Sequence, residues 1–365
     1  MNDDEIRLVA AIRPEAPAYD EGARQAARLG LAAAAAPRAR GRSPRWRGPY
    51  AMALAGALAV AVGATAITLT GTRGGSREAV REVVVTMPEI AAVSASEVLD
   101  RAARAAARTD LAPRDDQFVK VESETMYGSF SGTGTNAETG ETEGETRYLY
   151  RTKRVIWLSA DGTRNGSVRI EHLEPRAYPG WPIPERAYEQ TGVETLPLVN
   201  CGKTPGYLRT DHAALRKLPA DAEGMRAHLY TGDRGGDSKD GAAFTAAGDM
   251  LRETYMPPAQ RAALFKAVGT IPGVDVTERA EDAAGREGIG VGRVGADGVR
   301  QDLIFDAKTY ELLGERGIVV DEKAARSPEG SLVASTAQLS VTVADEAPDA
   351  DPEEGKADGK ADGCG

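Results

Sequence analysis

The C-terminal two thirds of the chain alternate between two periodicities. Residues 95–108 (ASEVLDRAARAAAR) repeat apolar side chains every three to four positions, with Val98, Leu99, Ala102, Ala105 and Ala106 on one side. Ser94 precedes them with Glu97 three positions later, so a capped helix is predicted there. Period-two alternation follows: 117–127 sets Val119 and Val121 against Lys120, Glu122 and Glu124. Residues 147–160 are β-branched and aromatic, and Asp161-Gly162 reads as a turn into 167–173. Helical patterns return at 219–230, 242–255 and 258–268, the last opening on Pro258, which suits a first helical position. Strands resume after Val274, at 288–294, 299–305, 310–320 and 331–343, with short turns that favour antiparallel pairing. Residues 128–145 (Gly, Thr and Glu) and the proline-punctuated 175–205 are expected to be loops. The pattern predicts an α+β fold: an antiparallel sheet of about six or seven strands with helices on one face.

A different pattern stands ahead of this domain. Residues 50–70 (YAMALAGALAVAVGATAITLT) are 21 positions without a charge. As a helix they would extend ~31 Å at ~1.5 Å per residue, against a bilayer hydrocarbon core of ~30 Å. Arg38, Arg40, Arg42, Arg45 and Arg47 crowd the preceding side, whereas Arg73 and Arg77 are soon offset by Glu78 and Glu82. The net charge of −10 hides this asymmetry: residues 1–49 carry nine basic and six acidic side chains, leaving 36 and 49 in the remainder. The arginine excess orients residues 1–49 to the cytoplasm and the acidic body outward, with Trp46 and Tyr50 at headgroup level. A cleaved signal peptide ending at Ala64-Thr65-Ala66 competes, but the extension ahead of it is far longer than an ordinary basic leader. A buried soluble helix would give the five arginines no reason to gather at one end.

The organisation expected is therefore a cytoplasmic Arg-rich leader (1–49), one transmembrane helix (50–70), a linker (71–93), an extracytoplasmic α+β domain (94–343) and a disordered acidic tail (344–365). The leader holds too little apolar surface for its own core. It is either a solvated juxtamembrane segment or one that orders against a cytoplasmic protein. The overall acidity argues against nucleic acid as a partner.

Candidate chemistry changes this picture little. Gly290-Val291-Gly292-Arg293-Val294-Gly295 spells GxGxxG, but a turn and a strand follow it where a phosphate-binding helix is required. Alternating glycines in a strand instead mark a close backbone approach or a bulge. Gly128-Ser129-Phe130-Ser131-Gly132 has phenylalanine where a nucleophile elbow needs serine. His172, His212 and His228 are too widely spaced for a zinc site, and Cys201 and Cys364 are left open as a pair. No catalytic residue, cofactor or metal is expected. Tyr178, Trp181, Tyr188 and Tyr207 stand out as aromatics gathered in the proline-rich loop. They either cover the apolar side of the sheet or form a lid over a ligand groove for a lipid or peptide.

One resemblance rests on an ordered set of fragments. These are Arg13-Pro14-Glu15 with Pro17, the arginine cluster and apolar span, Ala95 with 97–103, and 157–163 (WLSADGT). Later come Leu218-Pro219, Pro257-Pro258 with 261–265, 271–274 (IPGV), and 303–306 with 312–316. Together they resemble a family of actinobacterial single-pass membrane proteins often encoded beside extracytoplasmic-function sigma factors. The resemblance covers most of 5–343 and implies an envelope protein, with no functional residues to carry over. The expectation is a non-enzymatic, membrane-anchored binding or sensing protein, its leader meeting a cytoplasmic regulatory partner such as a sigma factor. The alternatives are a lipid- or lipoprotein-handling envelope domain and, third, an extracellular hydrolase.

Overall fold

The structure, a computed structural model, describes residues 83–85, 87–108, 110–132, 134–135, 142–200, 209–231 and 238–350. The leader, residues 50–70, Tyr207 and both cysteines lie outside the described residues. Among the described residues no helix is long and apolar enough to cross a membrane.

Helix α1 (Ala95–Ala106) starts where Ser94 accepts the Glu97 amide at 3.2 Å. Only half of the predicted capping box forms, because the Glu97 carboxylate turns to Arg101 at 2.5 Å. Ser94→Ala removes the single side-chain acceptor, and urea unfolding should show a loss of about 1 kcal/mol.

The strands are β1 (Phe118–Ser131), β2 (Gly134–Thr135), β3 (Thr142–Glu143), β4 (Thr146–Ser159), β5 (Gly166–Ala177), β6 (Gly192–Leu198), β7 (Asp275–Glu281), β8 (Glu287–Val294), β9 (Val299–Phe305), β10 (Leu312–Val319) and β11 (Leu332–Ala344). Nine of them form one antiparallel sheet in the order β6-β5-β4-β1-β11-β10-β9-β8-β7, while β2 and β3 pair separately. Every neighbour is a sequence neighbour within the sheet except the β1–β11 pair, which joins the first strand to the last.

Two expectations on strands are corrected. The loop expected at 128–145 begins later, because β1 runs to Ser131 and pairs with β4 throughout. The loop expected at 175–205 contains β6, which takes Pro197 because β6 is the sheet edge and a proline there deprives no central ladder of a donor.

Helices α2 (His212–Leu215), α3 (Ala222–Leu229), α4 (Lys239–Asp249) and α5 (Pro258–Val268) lie between β6 and β7, and α6 (Glu322–Ala325) lies between β10 and β11. Asp211, Asp221 and Ser238 cap the first three of these through their side chains. Helices α1 to α5 share one apolar cluster with Val276, Val291, Leu303 and Phe305. The register places Val276, Val291, Leu303, Glu315, Thr336, Thr125, Thr152 and His172 in one row, hence on one face. No residue of β4, β5 or β6 belongs to the cluster that the helices bury. Tyr150, Arg154, Ile170 and His172 on that wing are only partly buried.

The chain meets the sheet before α1. Val83 and Val85 are buried with Leu149, Tyr178, Ile318 and Leu332. The Val85 amide donates to Gly330 at 2.9 Å, and five residues on, Ile90 bridges Thr277 of the edge strand β7. Residues 83–85 thus meet the β10–β11 connection, and residues 87–91 meet the far edge of the sheet before α1 begins.

Candidate functional site

Three polar assemblies are built into this frame. The first contains two of the aromatics singled out in the sequence. Tyr178 is fully buried and meets Phe130 edge-on, with ring centroids 5.1 Å apart at 83°. The Arg147 guanidinium lies 5.6 Å from the Phe130 ring, 6.0 Å from Tyr178 and 5.2 Å from Trp181. It also donates to Glu145 at 2.8 Å, to the Arg326 carbonyl at 2.8 Å and to Ser327 Oγ at 2.7 Å. The ring faces attract this cation, and the three acceptors fix its plane. Tyr188 ends the 3-10 turn Glu185–Tyr188, whose Arg186 donates to Ser131 and Thr146. The structure thus gathers Tyr178 and Trp181 on Arg147 and sets Tyr188 on the next turn. The proline-rich run gave Tyr178 and Trp181; their partners Arg147 and Phe130 come from distant strands and carry no local signal.

The second assembly sits on the helix-covered face, where β1, β4 and β10 meet the end of α4. Arg252 bonds Glu315 at 2.5 Å and Asp249 at 2.9 Å. Glu253 accepts from Ser123 Oγ at 2.7 Å and faces Arg154 at 3.3 Å. Burial pushes the Glu315 carboxyl up, and the Arg252 contact offsets this only in part. Burial opposes the Arg252 charge as well, yet Glu315, Tyr127 and Asp249 hold its guanidinium above its ordinary range. The Tyr127 hydroxyl lies buried in the same field, without a hydrogen-bond partner among the described residues, and burial raises its pKa. Glu253 has φ +53, a left-handed conformation that costs a non-glycine residue of order 1–3 kcal/mol. The adjoining crevice, lined by Ser123, Arg252, Glu253 and Glu315 among others, has about 10 Å³ of room, enough for one water. Sequence reasoning missed this cluster; the only sign was charge at inward positions of strands, as at Glu315 and Arg154.

The third assembly is on the opposite face. Asp302 accepts from Arg300 Nε at 2.9 Å through one oxygen and from Arg316 Nε at 2.9 Å through the other. Arg300 also pairs with Asp275 at 2.5 Å. The glycines of the GxGxxG spelling make room for this layer. A Cβ on Gly292 would lie 2.3 Å from Asp302 Oδ1 and 2.0 Å from the Gln301 carbonyl, and one on Gly290 would lie 3.1 Å from Asp302 Cγ. They sit inside β8, with β9 next, as the close-approach reading requires.

Among the described residues no group of three or more His, Cys, Asp or Glu side chains is arranged to hold a metal ion. His172 meets Glu194 at 2.9 Å on the half-covered wing. His212 stacks on Tyr255 with centroids 5.9 Å apart at 14°. Burial, then the nearby Arg216 charge, lowers the His212 pKa against the weaker pull of Asp110, Asp115 and Asp211. A lowered folded-state value means that the unfolded chain binds this proton first as pH falls. Stability from this site is therefore present above the ordinary value of about 6.5 and is lost as pH drops through it toward the folded value. Urea titrations from ~pH 7.5 to ~5 should show that loss, and His212→Phe, which keeps the stacked ring, should flatten it.

No family model matches the chain, and no curated protein is significantly similar to it.

Proposed function

We propose that the protein is a membrane-tethered, non-enzymatic binding or sensing module. Residues 50–70 cross the bilayer once, the arginine-rich leader stays in the cytoplasm, and the α+β domain stands outside. In its sharper form, the leader meets a regulatory protein of the sigma-factor class. The observation that carries this reading is the charge boundary: 21 uncharged residues, with five arginines crowded on one side and an acidic body on the other. The partly buried wing of β4, β5 and β6, with Tyr150 and the His172–Glu194 pair, offers polar contacts suited to a ligand.

Two observations favour this over the alternatives. A hydrolase needs free carboxylates facing room for a substrate. On the helix-covered face the carboxylates that converge, Asp249, Glu253 and Glu315, are each engaged by arginine beside a crevice the size of one water. A lipid carrier needs an apolar cavity under the proline-rich loop. The Tyr178 ring there is fully buried against Phe130.

The test is purification of the full chain after crosslinking in cells, beside a variant lacking residues 2–49. Recovery of a sigma factor with the full chain and its loss with the variant is the result expected. Equal recovery with both, or with neither, overturns the regulatory role of the leader.

A further inference from the structure

The end of the sheet at which the chain enters carries apolar side chains that the fold does not cover. β1, β5 and β10 finish there and β4 and β11 begin there, as the antiparallel registers require. Val84 bridges Ser331 at this end and is 41% exposed; Phe130, the penultimate residue of β1, is 45% exposed. Trp181 is half-buried and shares the Arg147 guanidinium with Phe130. Phe130 and Trp181 are not loose: both lie against the Arg147 guanidinium, which Glu145, Ser327 and the Arg326 carbonyl hold in place. A rigidly mounted aromatic pair left in water gains nothing by its exposure, and grouped exposed apolar residues mark a contact surface.

We propose that this end is a bilayer-contact surface, with Phe130, Trp181 and Val84 seated among the headgroups of the outer leaflet. The inference rests on the reading of 50–70 as a span and names a partner for the domain beyond it. Three observations select lipid as the occupant. Only residues 71–82 separate the apolar segment from Val83, so this end cannot stand farther than ~45 Å from Thr70, and it is the part of the domain nearest in sequence to the span. Trp and Phe on a polar frame suit the interfacial zone, where aromatic rings collect. Arg186, which bonds Ser131 and Thr146, and Arg326, whose carbonyl holds Arg147, stand with Lys323 in the same short stretches of chain as Glu185, Glu322 and Glu329, a mixed set that suits zwitterionic headgroups. The acidic tail begins at the other end of the sheet. β11 leads from this end to the other over 13 residues, ~44 Å at ~3.4 Å each, before residues 344–365 add eight acidic side chains against two lysines.

Tryptophan quenching tests this on the full chain, because its only tryptophans are Trp46, Trp157 and Trp181. One variant, Trp46→Phe with Trp157→Phe, leaves Trp181 alone; another, Trp157→Phe with Trp181→Phe, leaves Trp46 as the reporter of the span. Both are reconstituted in phosphatidylcholine vesicles with and without dibrominated acyl chains. The result expected is a loss of Trp181 emission comparable to that of Trp46, relieved when Phe130→Glu is added. Quenching of Trp46 with Trp181 unaffected overturns the contact surface and leaves the span standing. Absence of quenching at both positions overturns the span and the surface together.

Discussion

Asp302→Ala will destabilise the domain by about 3–5 kcal/mol in urea unfolding, the range for a buried ion pair that loses one partner. The Asp302 side chain is fully buried, and those of Arg300 and Arg316 are 2% and 5% exposed. Each oxygen of the carboxylate serves a different arginine, so a single truncation strips both guanidiniums of their shared counter-charge. Arg300 retains Asp275, whose side chain is 44% exposed and so compensates weakly. Arg316 retains a hydrogen bond to the Arg279 carbonyl at 3.3 Å and the more distant charge of Glu281. The contrast is Asp302→Leu combined with Arg300→Met and Arg316→Met, which removes every charge in the triad and retains much of its volume. That triple variant should recover most of the lost stability, because the penalty comes from stranded charge rather than from the absence of the network. If Asp302→Ala costs no more than an exposed pair, the burial on which this face is built is wrong.

Phe265→Ala will cost ~3–5 kcal/mol by the same measurement, the range for emptying a large buried aromatic site. Phe265 on α5 is 1% exposed and meets Phe305 of β9, itself fully buried, with centroids 5.2 Å apart at 85°. This edge-on pair ties the helical layer to the sheet, and its neighbours, among them Leu99 and Leu264, lie on elements that cannot collapse into the void without moving. Phe265→Leu should cost less. A double-mutant cycle with Phe305→Leu should return a coupling of about 0.5–1.5 kcal/mol, the geometric part of the contact. A purely additive cycle would mean that the two rings only fill space.

The legible parts of the fold were those with local causes. α1 was readable because Ser94 and the spacing of Val98, Leu99 and Ala102 act within a few residues. Strands β8, β9 and β10 were readable because the turns that join them are short. β6 was not, since Pro197 argues against a strand until the sheet edge that tolerates it is known. The seven strands given bounds from the sequence fall short of the nine found by two, β6 and the edge strand β7. Glycine was read correctly at Gly290 and Gly292, although which side chain lay over them, Asp302, depends on register between β8 and β9. The site was less legible. Tyr178 and Trp181 were visible as a local cluster. Tyr127, Arg154 and Glu315 come from three strands and Glu253 from the turn after α4, and nothing in their own neighbourhoods marks them as one group.

The division of the chain between two compartments can be measured with the natural cysteines, Cys201 and Cys364, both of which follow residues 50–70. Intact cells are treated with a membrane-impermeant phosphine reductant and then a membrane-impermeant maleimide, beside a variant with Cys201→Ser, Cys364→Ser and Asp20→Cys. An exterior domain and a cytoplasmic leader require the natural chain to be labelled on intact cells and the Asp20→Cys variant only after lysis. Labelling of the variant on intact cells while the natural chain stays unlabelled until lysis would contradict the orientation. A natural chain that reacts only after lysis would place the domain inside and end the tethered exterior module.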